Sequence, residues 1–222
     1  VLPADVTAGK ITLTATSAFA QGTSTLQALE GVVKKLNDIV LENNFAPMIA
    51  SRNYVYANIA AYECISAGDA GFPTLAGQIK HMPAMPKATD TAHTDYALAA
   101  LLAFVKVGNA VTFPEGSMMS YYDELKHMAD SAGVPGGTIK ASSTFADTIA
   151  SAILAWSKKD NYAQTRTAPK YAVLDSPGRW VPTPPMYSQP LEPHWNEIRT
   201  LVLDSADELV PPRPMPFNMT DK

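Results

Sequence analysis

The chain of 222 residues is 46% apolar and 17% charged, which provides one sizeable hydrophobic core or two small ones and excludes extensive disorder. Its 17 Lys and Arg against 21 Asp and Glu give a net charge of −4. No nucleic-acid partner is expected, because a mildly acidic chain lacks the basic stripe that such a partner requires.

The first 23 residues are small and polar and are interpreted as an N-terminal arm, residues 1–23. The start at Val1 rather than Met indicates a processed or trimmed N-terminus, and no signal peptide is predicted. The first helix should follow Ser24 as N-cap and end at Asn43 and Asn44. Its apolar residues recur at three- and four-residue steps, which predicts one apolar stripe: Leu26, Leu29, Val33, Leu36 and Val40.

The second helix is predicted from Pro47, which suits a first helical turn, to a stop at Gly68. It is rich in Ala, so most of its surface should be buried close to neighbouring backbones. The predicted apolar face contains Val55, Ile59, Tyr62 and Ile65.

Two charged residues of this helix, Arg52 and Glu63, need partners if the helix is buried. They lie eleven residues apart, about three turns, and therefore share a face. Either they form a substrate-facing polar site, or they pair with groups on neighbouring segments; we favour the second interpretation. Cys64 is the only Cys and cannot form an internal disulfide, so we interpret it as a buried, inert thiol.

Three more helices are predicted after a loop at residues 69–89. The third, capped by Asp90 or Thr91, contains the longest apolar run, residues 96–105. Ten helical residues span about 15 Å, half of a bilayer core, so no transmembrane segment is expected. The fourth helix should open at Pro114 and Glu115 and stop at Gly133, and the fifth should start at Ser142 or Ser143.

Five amphipathic helices without a convincing strand predict an all-α fold, a helical bundle of about five to six helices at residues 24–160. Residues 161–222 are predicted to be a Pro- and aromatic-rich extended segment, because seven Pro between residues 161 and 193 exclude a long helix. Trp180 and Tyr187 should be buried there, and a short helix is expected at residues 195–203. Since Lys222 closes no element, the natural polypeptide is expected to continue.

Motifs assign no catalytic, cofactor-binding or metal-binding residue. The four His are not spaced as metal ligands, and no nucleophile motif occurs. The Gly-rich GVPGG at residues 133–137 lacks the Lys-Ser/Thr pair of a phosphate-binding loop and is interpreted as a helix stop and turn. The N-x-T pattern at Asn218 is interpreted as chance.

Two stretches are distinctive together, ASRNYVYANIAAYE at residues 50–63 and PGRWVPTPPMYSQPLEPHWNEIR at residues 177–199. The combination resembles bacterial vanadium-dependent haloperoxidases and their relatives in the type-2 phosphatidic acid phosphatase superfamily. The W-x-P-T-P-P segment followed by P-L-x-P-x-W is the more specific part. The resemblance covers about residues 24–216 and is to the N-terminal helical half of these proteins.

The resemblance implies that vanadate or a phosphate substrate is held by a Lys, two Arg, Ser and Gly groups near a helix N-terminus, and an axial His. The family carries these groups as Lys, six residues and Arg-Pro, then Pro-Ser-Gly-His, then Ser-Arg with a His six residues after the Arg. Lys159 and Arg166 have the first spacing, but Thr167 replaces Pro and the pair precedes the Trp180 segment.

The other two motifs are also missing from these 222 residues. Ser-Gly-His occurs nowhere, and Ser51-Arg52 is followed by Asn58 where the family has His. No catalytic residue is therefore carried over, and no cofactor is expected in this part of the protein.

The resemblance implies the non-catalytic N-terminal domain of a vanadium-dependent enzyme, whose partner is a C-terminal catalytic half of the same polypeptide. The whole enzyme would oxidise halides with hydrogen peroxide or hydrolyse phosphoesters. Export to the periplasm or the extracellular space is expected from the family, and homo-oligomers could form. The alternative is a freestanding helical binding or scaffold protein without catalysis. A half-enzyme should expose a large apolar surface.

Overall fold

The computed structural model describes residues 25–212 except 115 and 175, with side chains from Ala28 onward. Six α-helices lie in this part of the chain: α1 (Thr25–Glu42), α2 (Pro47–Gly68), α3 (Tyr96–Val111), α4 (Met119–Ser131), α5 (Gly136–Ser157) and α6 (Tyr162–Thr167). A 3₁₀ turn follows at Trp195–Glu197, and the described residues contain one isolated β-bridge, between Ala76 and Ile79. The all-α prediction is confirmed.

Helix α3 lies at the centre of the bundle and contacts α1, α2, α4 and α5. Every residue from Ala97 to Val105 is buried, which explains the long apolar run. The helix begins after Asp95, whose carboxylate accepts hydrogen bonds of 3.0 Å from the backbone N–H groups of Ala97 and Leu98. Asp95 is thus the N-cap in place of the predicted Asp90 or Thr91.

The most extensive helix–helix contact is between α2 and α3, and many of the side chains that α2 contributes to it are small. Its fully buried residues include Ala57, Ala60 and Cys64, whereas of the predicted apolar face only Ile59 is buried. Val55 and Ile65 are half-buried and pack against the core, so the predicted face is confirmed except at Tyr62, whose hydroxyl donates to the Pro73 carbonyl. Small residues let two helix backbones approach closely, which accounts for the extent of this contact.

The predicted bounds of α2 are confirmed, and two later helices begin elsewhere than predicted. Helix α4 begins at Met119, after a turn at residues 116–118, and α5 begins at Gly136, six residues before Ser142. Gly133 has φ +84° and ends α4 as predicted, but the following Gly pair opens α5 instead of forming a loop. Ser142 is buried inside α5 and accepts a 2.8 Å hydrogen bond from the Asp95 backbone N–H.

For the residues after α5, the predicted secondary structure and burial are only partly confirmed. Helix α6 was not predicted, and the expected helix at residues 195–203 is reduced to the three-residue 3₁₀ turn. Trp180 and Tyr187 are 45% and 60% exposed instead of buried. Residues 1–23 and Asn218 lie outside the described residues, as does the N-cap assigned to Ser24. No helix in the described residues combines the length and apolar character needed to span a bilayer.

Candidate functional site

A buried carboxylate directly after α5 is the centre of the main polar cluster. The side chain of Asp160 is 1% exposed. Its Oδ2 accepts hydrogen bonds from Arg52 Nε at 2.7 Å and from the Tyr56 hydroxyl at 2.8 Å, and its Oδ1 accepts one of 2.9 Å from the Tyr162 backbone N–H. These donors offset the cost of removing the charge from water.

Arg199 joins the same cluster from the C-terminal side of the chain. It donates to the Trp156 carbonyl at 3.2 Å and to the Tyr56 hydroxyl at 3.1 Å, and its guanidinium lies 4.3 Å from the centroid of the Trp156 ring. Its backbone N–H donates to the Asp160 carbonyl at 2.9 Å. Burial, and then the neighbouring carboxylate, raise the pKa of Tyr56, so its hydroxyl stays protonated and links the two halves of the cluster.

The geometry of this cluster is that of a tether. Arg52 is directed at Asp160, whereas Arg199 is directed at a carbonyl and a hydroxyl, so the two guanidinium groups do not converge on one position. An oxyanion cradle requires cationic donors that point at a common ligand. The cluster instead fastens the segment after the 3₁₀ turn to α2 and α5.

A second feature is an apolar groove in the Pro-rich segment, which we call the 170–193 lobe. The groove has a volume of about 670 Å³, and none of the described residues that line it is charged. Tyr171 and Trp180 meet edge to face on its wall, with ring centroids 5.8 Å apart. Seven large apolar side chains of the lobe are exposed, including Met186 at 82%.

One solved structure gives a strong match to this arrangement of helices. The crystal structure of the first bacterial vanadium-dependent iodoperoxidase superposes with a TM-score of 0.79 at 38% sequence identity, over 86% of this chain. The chain has a haloperoxidase-like fold. It spans only 46% of the iodoperoxidase chain, so more than half of that protein has no counterpart here. No protein-family model and no curated protein matches the sequence.

The two charged residues predicted on α2 belong to separate contacts. Arg52 pairs with Asp160, whereas the buried Glu63 accepts 2.7 Å hydrogen bonds from the Thr74 hydroxyl and the Leu75 backbone N–H. Both residues thus pair with neighbouring segments, which confirms the interpretation favoured from the sequence. Glu63 fixes the start of the α2–α3 loop.

The residues that partly match the haloperoxidase motifs in the sequence make local contacts in this fold. Arg166 forms an ion pair with Glu192, while Lys159 is exposed. The Ser51 hydroxyl donates to the Met48 carbonyl at 2.7 Å, and the Asn58 amide donates to the Tyr54 carbonyl at 2.8 Å, each within one turn of α2.

The His and Cys side chains considered in the sequence make separate, local contacts. His93 pairs with Asp90, His127 contacts Ser131 and His194 contacts Glu197. Cys64 is fully buried, and burial raises the pKa of its thiol. Within residues 25–114, 116–174 and 176–212, no group of three His, Cys, Asp or Glu could hold a metal ion.

The sequence interpretation missed Asp160 and Arg199, the two residues that organise the cluster. Asp160 lies 108 residues from Arg52, and no local pattern predicts a pair at that separation. One physical signal was present: a carboxylate just after a helix C-terminus is unfavourable with the helix dipole unless a cation compensates it.

Proposed function

We propose that this chain is the non-catalytic N-terminal helical domain of a vanadium-dependent haloperoxidase-like enzyme. The observation that carries the proposal is the match to the iodoperoxidase, because 86% of this chain aligns with less than half of that one. The vanadate-binding motifs of the family are missing from the sequence, and the guanidinium groups of the described cluster serve as tethers. Binding of vanadate and chemistry are therefore assigned to a second half.

The activity of the whole protein is proposed to be vanadate-dependent oxidation of halide by hydrogen peroxide, with iodide as the first halide to test. Hydrolysis of phosphoesters on the same fold is the related reaction. In this scheme the described residues contribute support: α2 and α5 hold the Asp160 cluster, and that cluster fixes the C-terminal segment. Export to the periplasm or the extracellular space, and assembly into homo-oligomers, remain predictions.

The exposed apolar surface of the lobe supports this proposal. A groove without charge among its described lining residues, flanked by exposed Trp180, Met186 and Tyr187, is costly in water unless another surface covers it. The proposed partner is the catalytic half of the same polypeptide.

A vanadate-binding measurement on residues 1–222 tests the proposal. We expect equilibrium dialysis to find no stoichiometric binding, and we expect no iodide oxidation when peroxide is added. The iodoperoxidase is the positive control, and Arg199→Ala is the matched variant. Stoichiometric binding that disappears in Arg199→Ala would contradict the assignment of the cradle to a second half.

The mass of the native gene product provides an independent check. The proposal requires a native polypeptide well above 23.8 kDa that contains Ser-Gly-His after Lys222. A native product that ends at this mass would instead support the freestanding binding or scaffold protein.

A further inference from the structure

His194 lies at the base of the 170–193 lobe, between two hydrogen-bond acceptors. Its Nδ1 is 2.8 Å from Glu197 Oε1, and its Nε2 is 2.8 Å from the Pro169 carbonyl oxygen. Pro169 immediately precedes the lobe and His194 immediately follows it. The imidazole therefore joins the two ends of a loop of 24 residues.

The two acceptors determine which form of the ring suits this position. A carbonyl oxygen cannot donate a hydrogen bond, and an ionised carboxylate cannot donate one either. A neutral imidazole has one N–H and can satisfy only one of them, whereas the imidazolium has two and satisfies both. Deprotonation must therefore break one of the two contacts at the base of the lobe.

Among the described residues, one charged group acts on the ring. Glu197 on the 3₁₀ turn is the carboxylate that acts on the ring, and the Pro169 side contributes the backbone carbonyl. The nearby Arg166–Glu192 ion pair forms the second bridge across the base. Imidazole is the side chain that ordinarily changes charge near pH 7, so the ring is the titrating group that this junction uses.

We propose that protonated His194 is a pH-dependent clasp that closes the base of the 170–193 lobe, and that loss of its proton loosens the apolar groove. The Arg166–Glu192 pair holds the base partly together in both states. The clasp thus regulates how rigidly the lobe presents Trp180 and the exposed apolar side chains. This inference does not depend on the proposed enzyme function.

The electrostatic surroundings agree with this geometry. The hydrogen bond to the Pro169 carbonyl, and then the one to Glu197, raise the pKa of His194 above its ordinary value of 6.5. A group with a raised pKa stabilises the folded arrangement at low pH and loses that contribution as the pH rises through the raised value. The clasp should therefore be closed at pH 6 and open progressively as the pH rises through that raised value.

Amide hydrogen exchange of the lobe, measured from about pH 5 to pH 9 and corrected for intrinsic exchange, tests the proposal. We expect lobe exchange to rise by roughly threefold to tenfold across the titration of His194, which ring NMR follows in the same samples. In His194→Gln, lobe exchange should lose this pH dependence, because an amide does not titrate. The matched control is His93→Gln, since His93 also pairs with a carboxylate three residues away but lies far from the lobe in the sequence.

A second variant guards against misfolding of the first. Glu197→Gln removes the carboxylate and retains the size of the side chain, so the His194 pKa and the midpoint of lobe exchange should both move to lower pH. The proposal is overturned if the wild-type lobe shows no more pH dependence than His194→Gln. It is also overturned if the two midpoints fail to move together in Glu197→Gln, or if His93→Gln changes lobe exchange as much as His194→Gln.

Discussion

At the scale of single residues, the buried Asp160 carboxylate should matter more than any exposed ion pair. In Asp160→Ala the Arg52 guanidinium, whose side chain is 12% exposed, would lose its partner, and the Tyr56 hydroxyl would lose its acceptor. Removing one member of a buried pair costs about 3 kcal/mol. We therefore expect the free energy of unfolding in urea to fall by that amount with an unchanged m-value.

The matched control is Asp38→Ala, which removes the exposed i,i+4 pair with Lys34 on α1. That change should cost less than about 0.5 kcal/mol. Equal effects of the two substitutions would contradict the tethering role of Asp160. Arg52 could be singled out from the sequence because a charge on an Ala-rich helix needs a partner. Asp160 could not, since it becomes the partner only when the end of α5 packs against α2.

At the scale of helices, the contact between the end of α2 and the start of α3 depends on a residue without a side chain. A Cβ placed on Gly68 would lie 2.4 Å from the Tyr96 ring. Since Tyr96 opens α3 and also packs edge to face on Phe145, the ring has little room to move. We expect Gly68→Ala to lower the free energy of unfolding by about 2 kcal/mol through overpacking.

Gly137→Ala is the control, because a Cβ there meets nothing within 4 Å and Gly137 lies in the first turn of α5. Ala is the better helix former, so this variant should be neutral or more stable by at most about 1 kcal/mol. If both substitutions destabilise alike in thermal unfolding, the close approach of Gly68 to Tyr96 is not what limits the packing.

The existence of α1 to α5, but not that of α6, could be predicted from the sequence, and the helix boundaries could be predicted only in part. Apolar periodicity gave α1 to α5, and Pro47 and Gly68 fixed both ends of α2 because each acts through its own backbone. The caps of α3 and α5 were missed, since several residues could serve as caps and tertiary contacts choose among them. Asp95 is selected by the hydrogen bond from its own N–H to Ser142, 47 residues away.

At the scale of the whole molecule, exposed apolar surface is concentrated in one region. Of the thirteen large apolar side chains exposed in the described residues, ten lie between residues 173 and 210. Exposed apolar clusters bind the dye ANS, whereas apolar residues scattered singly are normal on a protein surface. We expect the native chain to bind ANS, and Met186→Ser with Leu191→Ser to lower the fluorescence by about half.

The control for this change is the pair Val33→Ser and Leu41→Ser on α1, which are exposed but lie apart from the lobe in sequence. Both double variants replace surface side chains, so their melting temperatures should stay within about 2 °C of the native value. ANS fluorescence should then fall in the lobe variant alone. An equal loss in both would mean that the dye reports apolar residues scattered over the surface. That result would contradict the proposal that a second half of the polypeptide covers the lobe.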